Sequence, residues 1–203
     1  MQKIEALTLP VMESFYTIQG EGFHQGTAAH FIRLGGCDVG CHWCDVKESW
    51  SIRPEWEQTI ESIVSKVDHR AQIAVITGGE PLMHSLDELT EALKAKGLKT
   101  HIETSGAHPI SGYWDWICLS PKKFKKPLDT NYERADELKC IVYNKSDFTF
   151  AEDEAARVKP TCKLSLQPEW EVREKVMPLM SEYVLVHPKW RLTLQTHKYI
   201  GVP

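Results

Sequence analysis

The chain has 203 residues, of which 42% are hydrophobic and 26% are charged, and its formal net charge is −4. This balance is typical of a globular protein that is large enough to bury a core. It excludes the strongly basic surface of most nucleic-acid-binding proteins. We therefore expect a small-molecule ligand, with no nucleic acid and no membrane as partner.

Two further features of the whole sequence bear on location and domain number. No apolar run is long enough to span a bilayer, and residues 1–10 lack the apolar block of a signal peptide. We expect a cytoplasmic protein. Internal repeats and linkers rich in Gly, Ser or Pro are absent from the sequence, so we expect a single domain over residues 1–203.

Short runs rich in branched residues predict the strands. They lie at residues 31–34, 73–77, 99–104, 116–120, 137–143, 162–167 and 191–195. Helical patterns between them predict parallel pairing with right-handed crossovers. Because the connections after residues 104 and 120 are too irregular for full helices, the predicted fold class is α/β, an incomplete (β/α) barrel that is short of helices. Ligands would lie at the carboxyl ends of its strands.

Apolar residues at helical spacing predict the helices. The first begins after Pro54, and the others cover residues 86–96, residues 151–158 and part of residues 169–186. Ser85 and Glu88 predict a capping box for the second helix, and Gly97 predicts its end. Pro178 should interrupt or kink the last one.

A cysteine-rich loop follows the first predicted strand. This cluster loop, residues 35–46, carries Cys37, Cys41 and Cys44 at the spacing CxxxCxxC. Its glycines permit tight turns that aim three thiolates at one face of an iron–sulfur cube, whose fourth iron would stay open to another ligand. By themselves, three clustered cysteines are equally compatible with zinc, with His42 or a distant residue as fourth ligand.

The remaining cysteines are Cys118, Cys140 and Cys162, which lie among apolar residues of predicted strands. We interpret them as buried packing residues rather than metal ligands. Together with the clustered set, they are more typical of one metal site in a reducing compartment than of a disulfide framework.

Six short motifs carry a resemblance to a known family. The cysteine motif, TGGEP at residues 77–81 and ETSG at residues 103–106 resemble the radical S-adenosylmethionine (SAM) superfamily. Within it, TIQGEG at residues 17–22, SPK at residues 120–122 and QTHKY at residues 195–199 resemble the 7-carboxy-7-deazaguanine synthases. The resemblance extends over nearly the whole chain.

The resemblance implies a set of site residues. A [4Fe-4S] cluster would be held by Cys37, Cys41 and Cys44. SAM would contact Trp43, Cys44, Asp45, Gly79, Ser120, Pro121 and Lys122. The substrate would contact Ile18, Gln19, Gly20, Arg33, Thr77 and the terminal carboxylate of Pro203.

Residue chemistry is compatible with several of these roles. Gly79 allows close approach of a ligand to the backbone, and the Trp43 indole offers a stacking surface for adenine. Arg33 can form a fork with a carboxylate, and Gln19 can pair with a pyrimidine edge. The alternatives are a turn glycine, a packing tryptophan and, for Pro203, a frayed terminus.

The implied activity is that of a lyase. It converts 6-carboxy-5,6,7,8-tetrahydropterin to 7-carboxy-7-deazaguanine with release of ammonia, in the biosynthesis of queuosine and other 7-deazapurines. The implied partners are a flavodoxin-like reductant and a second copy of the chain in a homodimer. The alternatives are a small activase that makes a glycyl radical on a partner protein and a non-catalytic zinc or iron–sulfur module.

One position departs from the family pattern. Family members commonly have Thr or Ser two positions after the last cluster cysteine, where the hydroxyl coordinates Mg²⁺. This chain has Val46, which offers no side-chain oxygen, followed by the positive charge of Lys47. The sequence therefore leaves magnesium dependence open.

Overall fold

The computed structural model describes residues 7–203. The first six residues of the predicted domain lie outside the described residues. Contacts divide the chain into two compact units, which are described separately. The first contains residues 7–17, 28–103 and 110–115, and the second contains residues 18–27, 104–109 and 116–203. The prediction of a single domain stays a prediction.

The first unit is built around five strands. These are β1 (Thr8–Ile18), β2 (Ala28–Leu34), β3 (Glu57–Thr59), β4 (Ile73–Gly78) and β5 (Lys99–Thr104), in the order β3-β1-β2-β4-β5. Strands β2, β4 and β5 pair in parallel, whereas β1 and β3 pair antiparallel. The helices are α1 (Ile60–Ser65) and α2 (Asp87–Ala95), and short 3₁₀ helices cover Lys47–Trp50, Pro54–Trp56 and Pro81–Met83.

The second unit has four parallel strands. These are β6 (Trp116–Leu119), β7 (Glu137–Val142), β8 (Lys163–Pro168) and β9 (Trp190–Leu192), in that order. Its helices are α3 (Asp129–Arg134), α4 (Ser146–Ala155), α5 (Arg173–Val186) and α6 (Thr196–Ile200). No helix from residue 7 onward is both long and apolar enough to cross a membrane.

The two faces of the second unit's sheet differ in polarity, because successive side chains of a strand point to opposite faces. On β7, Leu138, Cys140 and Val142 belong to an apolar core that also contains Tyr132, Ala151, Leu166, Val176, Met180 and Trp190. Glu137 and Lys139 alternate with them and lie on the other face, where they are also buried. This polar face requires internal partners.

All seven predicted strands are present, with ends shifted by a few residues. The sequence analysis missed β1, which contains Pro10, and the three-residue β3. It also missed the short helices α3 and α6.

The helix predicted after Pro54 begins later than expected. Pro54 opens a 3₁₀ helix that is followed by β3, and α1 starts only at Ile60. The Thr59 hydroxyl accepts a hydrogen bond from the Ser62 amide and caps α1. A capping side chain thus determines the helix start, because it satisfies an amide that the first turn leaves without a partner.

The predicted capping box of α2 is wrong. Leu86 occupies the N-cap position, and the Ser85 hydroxyl donates to the Asp87 carboxylate instead. The predicted stop at Gly97 is confirmed, since its φ of +83° suits glycine.

The last two long helices also differ from their predictions. Helix α4 begins at Ser146, before the predicted residue 151, and ends at Ala155. Helix α5 continues through Pro178 without interruption. The proline therefore does not end this helix, although it removes one backbone donor from it.

The apolar face of β7 gives a stability prediction. Leu138 is fully buried, so Leu138→Ala should lower the free energy of unfolding by about 2–5 kcal/mol, measured by urea denaturation. Leu185→Ala is the matched control, because Leu185 is 83% exposed and its loss should change stability by less than about 0.5 kcal/mol. Equal effects of the two substitutions would contradict this description of the core.

Candidate active site

Backbone hydrogen bonds fix the start of the cluster loop. The amide of Gly36 donates to the Ser49 carbonyl at 2.7 Å, and the amide of Cys37 donates to the Trp50 carbonyl at 3.1 Å. Both acceptors lie in the 3₁₀ helix that follows the loop. The loop is therefore closed on itself at the carboxyl end of β2.

The three clustered cysteines are half-buried, and none of them is in a disulfide. The amide of Cys44 donates to the Cys41 carbonyl at 3.0 Å, which forms a tight turn between these two cysteines. Gly40 has a φ of +70°, and no heavy atom lies within 4 Å of the position that a Cβ would occupy. The loop therefore has open space beside it.

The other three cysteines are buried packing residues, as predicted. Burial raises the pKa of the Cys140 thiol, and it raises the pKa of Cys162 to about 12. A thiol that resists ionisation is a poor metal ligand. Cys118 is also buried, at 1% exposure.

The donor set of the cluster loop suits an iron–sulfur cluster. Within residues 7–203, no three His, Cys, Asp or Glu side chains are arranged to hold a single metal ion. A cube does not require such an arrangement, because each thiolate binds its own iron. Cys37, Cys41 and Cys44 would hold three irons of the cube.

The glycine pair after β4 packs directly against the cluster loop. The Gly79 amide donates to the Leu34 carbonyl at 2.9 Å, and the Glu80 amide donates to the Gly36 carbonyl at 2.8 Å. A Cβ on Gly79 would lie 2.2 Å from the Gly36 carbonyl oxygen and 2.8 Å from the Cys37 Cβ. Only glycine allows this approach, which brings the TGGEP and cysteine motifs together.

Two predicted substrate contacts are also neighbours in the first unit. Arg33 on β2 and Thr77 on β4 are partners in the parallel register, so their side chains lie side by side. The Arg33 Nε donates to the Glu13 carboxylate. A fork to a substrate carboxylate would therefore use the terminal nitrogens of the guanidinium.

The end of the cluster loop has one aromatic contact and one position relevant to magnesium. Trp43 is half-buried, and its ring meets that of His42 edge to face at 4.2 Å, whereas Asp45 is exposed. The carbonyl of Val46 accepts a hydrogen bond from the Ser49 hydroxyl at 2.7 Å. The hydroxyl nearest in sequence to Val46 is thus already used as a donor within the loop.

In the second unit, the SPK motif directly follows β6. The Ser120 amide donates to the Thr104 carbonyl at 2.8 Å. The Lys122 ammonium turns back to donate to the Ser120 carbonyl at 2.6 Å and to its hydroxyl at 2.8 Å. Pro121 between them is buried. These contacts give the tripeptide one compact conformation at the carboxyl end of β6.

Residues 18–27 form a closed loop, the 18–27 loop, that begins at the half-buried Ile18. The Gln19 amide donates to the Thr27 carbonyl, and the Gly26 amide donates to the Gln19 carbonyl, both at 2.8 Å. The Gln19 side-chain oxygen accepts from the Glu21 amide at 3.1 Å. The side-chain oxygen of Gln19 therefore stabilises the loop.

Glu137 on β7 holds the tip of this loop. Both of its carboxylate oxygens accept from the Phe23 amide at 3.0 Å, and one accepts from the Ser165 hydroxyl at 2.7 Å. A Cβ on Gly22 would lie 2.8 Å from the Glu137 carboxylate. A side chain at residue 22 would therefore displace the loop from β7.

Glu21 is held by a buried charge. The Lys139 ammonium lies 2.6 Å from one of its carboxylate oxygens, and the Gln195 amide donates to the other at 2.8 Å. Burial alone would raise the pKa of Glu21, but the Lys139 charge and hydrogen bonds from Lys139, Gln195 and Gln167 lower it to about 2. The stability that this carboxylate contributes is complete above its ordinary pKa of 4.5 and is lost as the pH falls towards 2.

The end of the chain contacts the same loop. The amide and hydroxyl of Thr196 both donate to the Gly20 carbonyl, at 2.9 Å and 3.0 Å. A Cβ on Gly20 would lie 2.1 Å from the His197 Nδ1, so the imidazole lies directly on this glycine. The Val202 amide donates to the His197 carbonyl at 3.2 Å, and the terminal Pro203 is exposed.

Several residues of the second unit's site were missed by sequence analysis. They are Lys139, Glu137, Gln167 and Gln195, which surround the 18–27 loop, and Asn131, whose amide donates to the Gly106 carbonyl. The available signal was the pair of charged residues inside the apolar strand β7. The side-chain oxygen of Gln167 is buried and has no hydrogen-bond partner within residues 7–203.

Comparison with known families identifies the class of protein. Residues 31–120 match the model of the radical SAM superfamily. QueE from Escherichia coli, a solved structure, matches with a TM-score of 0.85 and 32% identity, covering 94% of this chain and 95% of that one. The fold and the three-cysteine loop are thus those of a radical SAM protein, and the predicted α/β fold of this type is confirmed.

Curated relatives then identify the family within this superfamily. A 7-carboxy-7-deazaguanine synthase from Flavobacterium psychrophilum is 56% identical over 96% of this chain and 93% of its own length. Another, from Synechocystis sp., is 47% identical over 100% of this chain and 97% of its own length. The chain belongs to the 7-carboxy-7-deazaguanine synthase family.

The contact between Gly79 and the cluster loop gives a prediction on the incorporation of iron. Gly79→Ala should displace the cluster loop, because the added methyl group would collide with backbone atoms, and anaerobic iron analysis should show reduced incorporation. Gly97→Ala is the control in the same unit: nothing lies within 4 Å of its added Cβ. The control should lose about 1 kcal/mol of stability through its positive φ but retain its iron. Full iron incorporation in Gly79→Ala would contradict the predicted displacement.

Proposed function

We propose that this protein is a radical SAM lyase that converts 6-carboxy-5,6,7,8-tetrahydropterin to 7-carboxy-7-deazaguanine with release of ammonia, a step in the biosynthesis of queuosine and other 7-deazapurines. The names of the relatives support this reaction, since those named here match nearly the full length of the chain. The observation that carries the proposal is the packing of Gly79 on the backbone at Gly36 and Cys37. It places a backbone suited to ligand contact beside three cysteines suited to a cluster.

The cluster loop, Gly79 and the SPK motif have separate roles in the proposed site. Cys37, Cys41 and Cys44 would hold the [4Fe-4S] cluster, and the cluster with SAM would supply the radical that abstracts hydrogen from the substrate. Gly79 would offer backbone groups to the methionine portion of SAM, because it has no side chain to prevent contact. Trp43 would stack against the adenine. The remaining proposed SAM contacts are Asp45, Ser120, Pro121 and Lys122, with Cys44 contributing beside its cluster role.

The proposed substrate contacts divide by chemistry. Arg33 would pair with the substrate carboxylate through its terminal nitrogens, beside Thr77 in the parallel register. The amide nitrogen of Gln19 would donate to an acceptor on the pterin. Ile18, Gly20 and Pro203 complete the proposed set. The protein's contribution is to orient the substrate and to exclude water from the radical.

The partners and the domain organisation follow the same proposal. A flavodoxin-like reductant would supply electrons, and the chain would act as a homodimer in the cytoplasm. We propose that residues 1–203 form one radical SAM domain, which is supported by relatives that match the chain over nearly its whole length. Size-exclusion chromatography with light scattering measures the oligomeric state directly.

Turnover of the pterin tests the proposed reaction. Anaerobically reconstituted protein with SAM, dithionite and the pterin should yield 7-carboxy-7-deazaguanine by mass spectrometry. Alanine at Cys37, Cys41 or Cys44 should abolish both iron binding and product formation, because the cluster loses a ligand. Cys118→Ala is the control and should retain both, since Cys118 is buried outside the cluster loop. Protein with a complete cluster that leaves the pterin unchanged would refute the proposal.

Magnesium dependence is tested at Val46. We expect turnover by the wild-type protein to be unchanged when Mg²⁺ is removed by a chelator, because the Val46 side chain has no oxygen to coordinate the ion. Val46→Thr supplies a hydroxyl at this position, so its turnover should respond to added Mg²⁺. Loss of wild-type activity on chelation, with recovery when Mg²⁺ is added back, would show that other groups hold the ion.

A further inference from the structure

We propose that Lys139 is a positioning residue for the substrate, because its ammonium holds the Glu21 carboxylate and so fixes the 18–27 loop to the C-terminal segment formed by residues 195–197. The inference rests on the proposed function, in which residues 18–20 of this loop contact the pterin. Lys139 itself lies on β7, outside the six motifs that carry the family resemblance.

The pair of Lys139 and Glu21 is built into the protein interior. The Lys139 side chain is only 6% exposed, and its nitrogen lies 2.6 Å from the Glu21 carboxylate, whose side chain is 21% exposed. A buried ammonium is tolerated only beside an opposite charge with good hydrogen-bond geometry. The pair therefore has to be kept together, and it determines where residue 21 lies above β7.

Glu21 extends this constraint to the end of the chain. Its second carboxylate oxygen accepts from the Gln195 amide at 2.8 Å. The next residue, Thr196, donates twice to the Gly20 carbonyl, and the His197 ring lies on the Gly20 backbone. The loop and the C-terminal segment are thus joined at two adjacent residues, Gly20 and Glu21. Lys139 binds the Glu21 carboxylate that makes the second of these contacts.

Glu137 does not duplicate this function. It lies two residues before Lys139 on the same face of β7 and binds the Phe23 amide, at the tip of the 18–27 loop. Without Lys139, the tip would stay attached through Glu137, while the Glu21 carboxylate would lose its charged partner. The half-buried Glu21 carboxylate would still accept a hydrogen bond from the neutral Gln195 amide. We therefore expect the loss of Lys139 to lower the affinity for substrate.

Steady-state kinetics with the reconstituted holoenzyme test this role. Lys139→Met should raise the KM for the pterin about tenfold or more, while kcat at saturating pterin should fall by a smaller factor. Lys139→Arg keeps the charge and should retain most of the affinity. The double variant Lys139→Met with Glu21→Gln removes both charges and should recover part of the loss. Lys175→Met, at an exposed position in α5, is the matched control and should leave KM unchanged.

Iron content and urea unfolding of each variant separate positioning from misfolding. If Lys139→Met does not fold, Thr196→Val decides, because it deletes only the hydroxyl bond to the Gly20 carbonyl. That variant should raise KM severalfold with kcat retained. An unchanged KM in a folded Lys139→Met variant, or in Thr196→Val when the former does not fold, would overturn the inference alone. Wild-type protein that cleaves SAM but leaves the pterin unchanged would overturn the proposed function and the inference with it.

Discussion

The contact between two backbones at the carboxyl ends of β2 and β4 is the constraint on which the first unit's site depends. The cluster loop and the loop at Gly79 approach so closely that a single methyl group at residue 79 would overlap the Gly36 carbonyl oxygen. The amides of Gly79 and Glu80 are satisfied by carbonyls of residues 34 and 36. The two loops are therefore fixed by main-chain hydrogen bonds. These bonds require no particular side chains, but the close approach requires glycine at residue 79.

The second unit fixes its site differently. On one face of β7 and β8, the side chains of Glu137, Lys139, Ser165 and Gln167 are polar and buried, and the 18–27 loop supplies partners for Glu137 and Lys139. Glu137 holds the loop's amide, and Lys139 holds its carboxylate. Such buried polar groups are costly unless each is paired, so the loop and the sheet have to be formed together. The C-terminal segment adds to the same network through Gln195.

These two ways of fixing a loop suit the chemistry proposed for each. A cluster requires thiolates on a backbone that tolerates tight turns, and it gains nothing from neighbouring carboxylates. A polar, carboxylated substrate requires donors and acceptors whose orientation is determined in advance. The low pKa of Glu21 keeps its carboxylate ionised throughout the neutral range, so its pairing with Lys139 is the same at any working pH near neutrality.

The sequence by itself determined seven of the nine strands described in residues 7–203, the cysteine loop and the family, because these strands follow from local apolar runs and the motifs are contiguous. Only the tertiary structure decided the partner of Arg33 and the network around Glu21. Glu21 is 118 residues from Lys139 and 174 residues from Gln195 along the chain, and local sequence patterns carry no information on such distant pairs. Pairing of buried charges is a property of the folded interior, where desolvation forces each charge to find a partner.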